Sequence, residues 1–125
     1  MNGLERWPHV MKEGDMEALY DLLHPACVFI SPVVHTPQEG REITYAYLRA
    51  ANKALSEDFQ YVREVVQDNH AVLEFTVKVD GVFVNGVDII TFEGDQIVEL
   101  KVMVRPLKAV NAVWKQMGEM LEQLK

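Results

Sequence analysis

Apolar and polar residues alternate through most of the second half of the chain, the period of strands that bury one side. The pattern is clearest from Ala71 to Pro106, AVLEFTVKVDGVFVNGVDIITFEGDQIVELKVMVRP. Two turn signals interrupt it, Asp80-Gly81 and Asn85-Gly86. A turn at Asp80-Gly81 leaves two strands of similar length, whereas the other leaves a long strand and a stub. A two-residue loop at Asp80-Gly81 is also the strongest short-range hairpin pattern. It predicts that Val77 faces Val84, Phe75 faces Gly86 and Leu73 faces Asp88. Leu73, Phe75, Val77, Val84, Ile90 and Phe92 then share one face, with a single carboxylate, Asp88, among them.

The first half reads mainly as helices. Residues 4–12 form a short one, with Pro8 tolerable in its early turns. Gly14-Asp15 breaks it, and Asp15 can cap a helix over 16–23 with Met16, Leu19, Tyr20 and Leu23 on one face. Pro25 ends that helix, and 27–31 is a short strand. Residues 32–40 are a loop with two prolines and a second short strand at Val33 to His35. A helix over 41–55 presents Ile43, Tyr47, Leu48, Ala51 and Leu55. A strand over 59–67 turns at Asp68-Asn69 into the hairpin. Gly94-Asp95 leads into a strand over 97–105, where Val98, Leu100, Val102 and Val104 alternate with Glu99, Lys101, Met103 and Arg105. After Pro106, a helix over 107–124 carries a stripe of Val110, Val113, Trp114, Met117, Leu121 and Leu124.

Helices segregated from consecutive strands give an α+β fold. Twisted strands curl, so the expected architecture is a cone-shaped, mainly antiparallel sheet with helices on its concave face, enclosing a hollow. The chain has 125 residues, which fits a single domain over 1–125. A net charge of −7 disfavours nucleic acid and anionic membranes as partners. The amino terminus lacks an apolar signal region, and no run approaches a membrane span. The lone Cys27 excludes an intrachain disulfide and suits a reducing, cytoplasmic compartment; its apolar neighbours mark it as an inert core thiol. His9, His24 and His70 show no metal-ligand spacing, so neither metal nor cofactor is expected. Arg41 and Glu42 read as surface charges at a helix start.

Asp88 carries the main chemical signal. An acid on an apolar face must be paired, protonated or functional. Lys101 falls on the opposite face, which leaves His35, in the loop near the expected mouth, and the Tyr20 hydroxyl as partners.

GDMEALYDLLHPACVFISP (14–32), EGREITYAYL (39–48) and GVDIITFEGDQIVELKVMVRP (86–106) together resemble the nuclear-transport-factor-2-like superfamily, in its SnoaL-like and ketosteroid-isomerase-like branch. Ketosteroid isomerase is a standard case of a protonated acid donating to an oxyanion. The resemblance places that acid at Asp88, in Asp88-Ile89-Ile90-Thr91-Phe92. The isomerase's proton-abstracting acid precedes a Pro-Val pair, and Ser31 stands there, before Pro32-Val33. Its first-helix phenol falls at Trp7. Two of three functional positions therefore differ, and a serine without a base cannot shuttle a proton as a carboxylate does. The Arg-and-two-acid set of limonene-epoxide-hydrolase-like members is not evident.

The candidate catalytic residues are thus Asp88 and His35. Trp7, Tyr20, Ser31, Tyr47, Leu73, Phe75, Ile90, Val102 and Val104 are the candidate pocket residues. Ser31 lacks the spacing of a Ser-His-Asp nucleophile. On the other sheet face, Val87, Ile89 and Met103 lie among Glu74, Thr76, Asn85, Glu99, Lys101 and Arg105. Such a mixed face reads as a homodimer interface, as the resemblance also implies. Three functions remain open: an isomerase, cyclase or hydratase for a small apolar carbonyl compound, a non-catalytic module holding a small apolar ligand, and a dimeric interaction domain.

Overall fold

The computed structural model describes residues 3–123. Helix α1 spans Gly3–Glu13 with Pro8 inside it. Helix α2, Met16–Leu22, starts at Asp15, whose Oδ1 accepts from the Ala18 amide at 3.1 Å. Strand β1, Leu23–Ile30, follows directly and is longer than the residues 27–31 expected. Pro25 sits inside it without harm, because pairing with the neighbouring strand skips from Leu23 to Val28, where no donor is needed.

The second short strand is β2, Gln38–Glu39, and not Val33 to His35. It pairs antiparallel with Val28 and Phe29. Helix α3, Arg41–Ala54, buries Thr44, Leu48 and Ala50, whereas Ile43 is 37% exposed. Its buried side is turned from the expected one because α3 also packs on the last helix.

Strands β3 (Glu57–Gln67), β4 (His70–Val79), β5 (Val82–Glu93) and β6 (Gln96–Arg105) then run antiparallel in succession. The sheet order is β2-β1-β6-β5-β4-β3, with β1 parallel to β6. The β4–β5 register is the expected one: Val77 faces Val84, Phe75 faces Gly86 and Leu73 faces Asp88. Asp80 (φ 51°) and Gly81 (φ 76°) are both left-handed, as the two-residue mirror-image turn requires. Gly86 also has a reason. A Cβ there would come within 2.4 Å of the Phe75 ring, so only glycine lets that ring lie across β5.

Besides β1, two strands depart from strict alternation. Thr91 pairs with Glu99 but Phe92 with Ile97, so Val98 is a bulge residue and Ile97 takes the inner place. Pairing of β3 with β4 likewise slips at Val62, between Tyr61–Phe75 and Arg63–Glu74.

Helix α4, Leu107–Gln123, closes one side of the sheet. Ala109, Val113 and Met117 are buried at i, i+4, i+8 against Phe75, Val77, Val79 and Val84. Trp114, one residue round the helix, is 64% exposed, so it is not part of the buried stripe. Leu124 lies outside the described residues. A second core joins α1, α2, β1 and the far halves of β4–β6, including Trp7, Leu22, Phe29, Leu73 and Ile90. Tyr47, Tyr61 and Val102 touch both cores, and the hollow opens between them.

Candidate functional site

The hollow measures about 530 Å³. Phe75, Asp88, Leu100, Val102 and Val104 form its floor from the sheet. Trp7, Pro8, Met11 and Lys12 wall it from α1, Tyr47, Leu48, Ala51 and Asn52 from α3, and Val113 and Met117 from α4. Phe59, Gln60 and Tyr61 enter from β3, and Ser31, Pro32 and Val33 from the loop after β1.

Asp88 is 7% exposed. The Tyr61 hydroxyl donates to Asp88 Oδ2 at 2.7 Å, and the Trp7 indole N–H donates to the Tyr61 oxygen at 2.9 Å. An indole N–H can only donate, and a phenol has one proton. The chain therefore runs one way, Trp7 to Tyr61 to Asp88, and the single Tyr61 proton is committed. Asp88 also lines the hollow. Burial raises the Asp88 pKa from its ordinary 3.8 to about 7, against the lowering effect of the Tyr61 and Trp7 donors. Burial and the neighbouring carboxylate push the Tyr61 hydroxyl up as well, so it remains a donor. Tyr61 is held in place by an edge-on contact with Phe59, which stacks on Phe75.

Of the expected pocket residues, Trp7, Ser31, Tyr47, Phe75, Val102 and Val104 line the hollow with Asp88. Leu73 and Ile90 do not. They share the Asp88 face but are wholly buried within the second core, which fills that end of the sheet. Tyr20 is also elsewhere. Leu19 and Leu22 take the buried side of α2, so the Tyr20 ring turns outward against Tyr45, with the Arg41 guanidinium 4.7 Å over its face. Its hydroxyl donates to Glu42, not to Asp88. His35 is exposed and outside the lining. The Ser31 hydroxyl accepts from the Val33 amide at 3.1 Å and so fixes the loop.

The residue that sequence reasoning missed is Tyr61. Its position follows from the slip at Val62, which sets Tyr61 opposite Phe75 and aims its hydroxyl at Asp88. The alternation of Phe59 and Tyr61 was a usable signal for a shared face. Cys27 is fully buried and its thiol pKa is raised by that burial, in keeping with a core role.

The outer sheet face carries a groove of about 450 Å³ lined by Arg63, Val72, Glu74, Asn85, Val87, Met103 and Arg105, among others. Glu74 meets Arg63 at 3.5 Å and accepts from the Asn85 amide at 3.0 Å. No helix among the described residues is long and apolar enough to cross a membrane.

The SnoaL-like domain family matches residues 4–100. Among solved structures, a steroid delta-isomerase from Pseudomonas aeruginosa is 34% identical, with a TM-score of 0.92, over 98% of this chain and 90% of that one. A protein with a cystatin-like fold from Silicibacter pomeroyi is 30% identical, with a TM-score of 0.87, over 94% of this chain and 83% of that one. A putative SnoaL-like polyketide cyclase from Jannaschia shares the fold at 17% identity and a TM-score of 0.72, over 89% and 90% of the two chains. No curated protein matches the chain significantly.

Proposed function

We propose that this chain, which belongs to the SnoaL-like domain family, holds a small, largely apolar carbonyl compound in its hollow, with Asp88 as the pocket acid. One observation carries the reading: an almost wholly buried carboxyl, held through one oxygen by Tyr61, that lines a largely apolar hollow. Protonated, Asp88 donates from Oδ1 to the ligand's carbonyl oxygen, and would stabilise charge as it develops there. Ionised, the same oxygen accepts a proton from the carbon beside the carbonyl. A carboxyl titrating near neutrality serves both steps, because acid–base catalysis is most effective when the pKa matches the working pH. Such steps belong to isomerase, cyclase or hydratase chemistry. Tyr61 is a positioning residue, since its proton is already engaged in the hydrogen bond to Asp88.

Ser31 favours a second reading, a non-catalytic module for the same ligand class. Its hydroxyl accepts from the Val33 amide, and among the described lining residues Asp88 is the one carboxylate, so no second base stands there. The likeness to a steroid delta-isomerase supports the enzyme reading. The mixed outer face suits pairing of two copies, and the buried thiol of Cys27 suits a reducing, cytoplasmic setting.

Carbon-detected NMR titration of the Asp88 carboxyl tests the proposal. The midpoint is expected near 7, with deuterium exchange beside the carbonyl of a bicyclic enone catalysed by the wild type and abolished in Asp88→Asn. Binding without exchange in both proteins selects the binding module. A midpoint at or below about 3.9 removes the neutral donor.

A further inference from the structure

Asp88 is one of two charged residues among those described as lining the hollow; the other is Lys12. The two lie at opposite ends. Asp88 is buried at the floor, whereas Lys12, Ser56 and Gln60 are exposed lining residues and so mark the open mouth. The Lys12 ammonium makes no hydrogen bond or ion pair with any described residue, although acidic residues outnumber basic ones by 19 to 12 in the chain. Other polar groups with spare capacity line the hollow. Asn52 donates its amide N–H to the Met11 carbonyl at 2.8 Å, and among the described residues neither its oxygen nor the Gln60 side-chain amide has a hydrogen-bond partner.

Helix α1 sets the spacing. Trp7, Pro8, Met11 and Lys12 present one side to the hollow at i, i+1, i+4, i+5. Trp7 touches the Tyr61–Asp88 pair, and Lys12 stands five residues on, about 7–8 Å along the axis at the α-helical rise. The other lining residues, among them Met11, Tyr47, Leu48 and Leu55, carry no formal charge.

We infer that the hollow is built for an amphipathic oxo acid: its carbonyl meets Asp88, its apolar body fills the middle, and its carboxylate meets Lys12 at the mouth. This rests on the carbonyl reading of Asp88 and adds a second, oppositely charged end. A purely apolar ligand would leave the ammonium without a role and would find polar groups at the rim. The competing account is that Lys12 merely complements the carboxyl end of α1.

Calorimetry with an oxodecanoate, its methyl ester and plain decanoate separates the two ends. The wild type is expected to bind the oxo acid about fivefold more tightly than the ester, the size of a solvent-exposed ion pair. Added salt should shrink that ratio, and Lys12→Gln should bring it to one. Preference for the oxo acid over decanoate reports Asp88 instead. It should persist in Lys12→Gln and vanish in Asp88→Leu. Equal affinity of acid and ester in the wild type, or an acid preference that survives Lys12→Gln, overturns the inference, as does no binding of the oxo acid. Loss of the oxo preference alone, with the acid preference intact, overturns the reading of Asp88 and leaves Lys12 as an anion subsite.

Discussion

Two carboxylates stand at neighbouring rungs of the β4–β5 ladder and point opposite ways. Asp88, paired with Leu73, faces the hollow, and Glu74, paired with Val87, faces the outer groove. Glu74 has a guanidinium, an amide and solvent around it. Asp88 has one phenol, a chain of donors behind it and apolar side chains for the rest. The strands are the same; only the pleat differs. A period of two therefore sorts one acid into a solvated network and the other into a site where losing its proton is difficult.

The aromatic side chains show the same contrast in packing. Phe75 is 1% exposed and supports the floor of the hollow above Gly86, while Phe83, on the outer side of the same hairpin, is 58% exposed. Phe75→Ala should cost about 3–5 kcal/mol, because it removes a stacked ring and leaves a cavity. Phe83→Ala should stay within about 0.5 kcal/mol. Urea unfolding of the two variants measures the difference between the faces. Similar losses would mean that the hollow is not supported by Phe75 as its packing indicates.

Asp88 sharpens the comparison through pH. Its folded pKa, about 7, lies above the ordinary 3.8, so between those values the folded protein keeps a proton that the unfolded chain has released. Stability should therefore be fully present at low pH and be lost as pH rises, at up to about 1.4 kcal/mol per unit, levelling off above 7. Other carboxylates titrate over part of the range, so the useful quantity is the difference from Asp88→Asn. That difference should turn against the wild type from pH 4 to pH 7 and then stay flat. Parallel stability curves would mean that Asp88 is ionised in the fold and belongs with Glu74 after all.

Most of the inner face was legible because hairpin register follows from one turn. Asp80-Gly81 specifies the pairing of Leu73 with Asp88, and from that the burial of the acid follows. The partner of the acid was not legible, because Tyr61 reaches it only after β3 slips at Val62, and a bulge leaves no mark in a period of two. Val98 conceals a second slip in the same way. Tyr20 and His35 looked available because both are near in chain order to pocket elements. Which side of α2 is buried, and whether the loop folds inward, depend on packing that the periodicity of one element does not contain. The stripe on α4 erred by one residue at Trp114, within the tolerance of helical spacing, yet that residue separates buried from exposed.

The smallest effect on the fold, and the most telling for the outer face, should come from Met103→Glu. Met103 is 49% exposed beside Val87 and Val72. A carboxylate there stays in water in the single chain, so unfolding should shift by no more than about 0.5 kcal/mol. In a pair of copies joined through this face, the same carboxylate is desolvated at the contact and association should weaken sharply. Net charge of −7 on each copy opposes pairing in general, but the groove itself sets two guanidiniums, Arg63 and Arg105, against one carboxylate, Glu74. Local charge therefore does not prevent contact there. Light scattering of the wild type at micromolar concentration should give about twice the 14.3 kDa chain mass, and Met103→Glu about one. A wild type that stays at one chain mass would leave the outer face as plain solvent surface, and the contrast between Asp88 and Glu74 would be one of site against solvent, with no second copy involved.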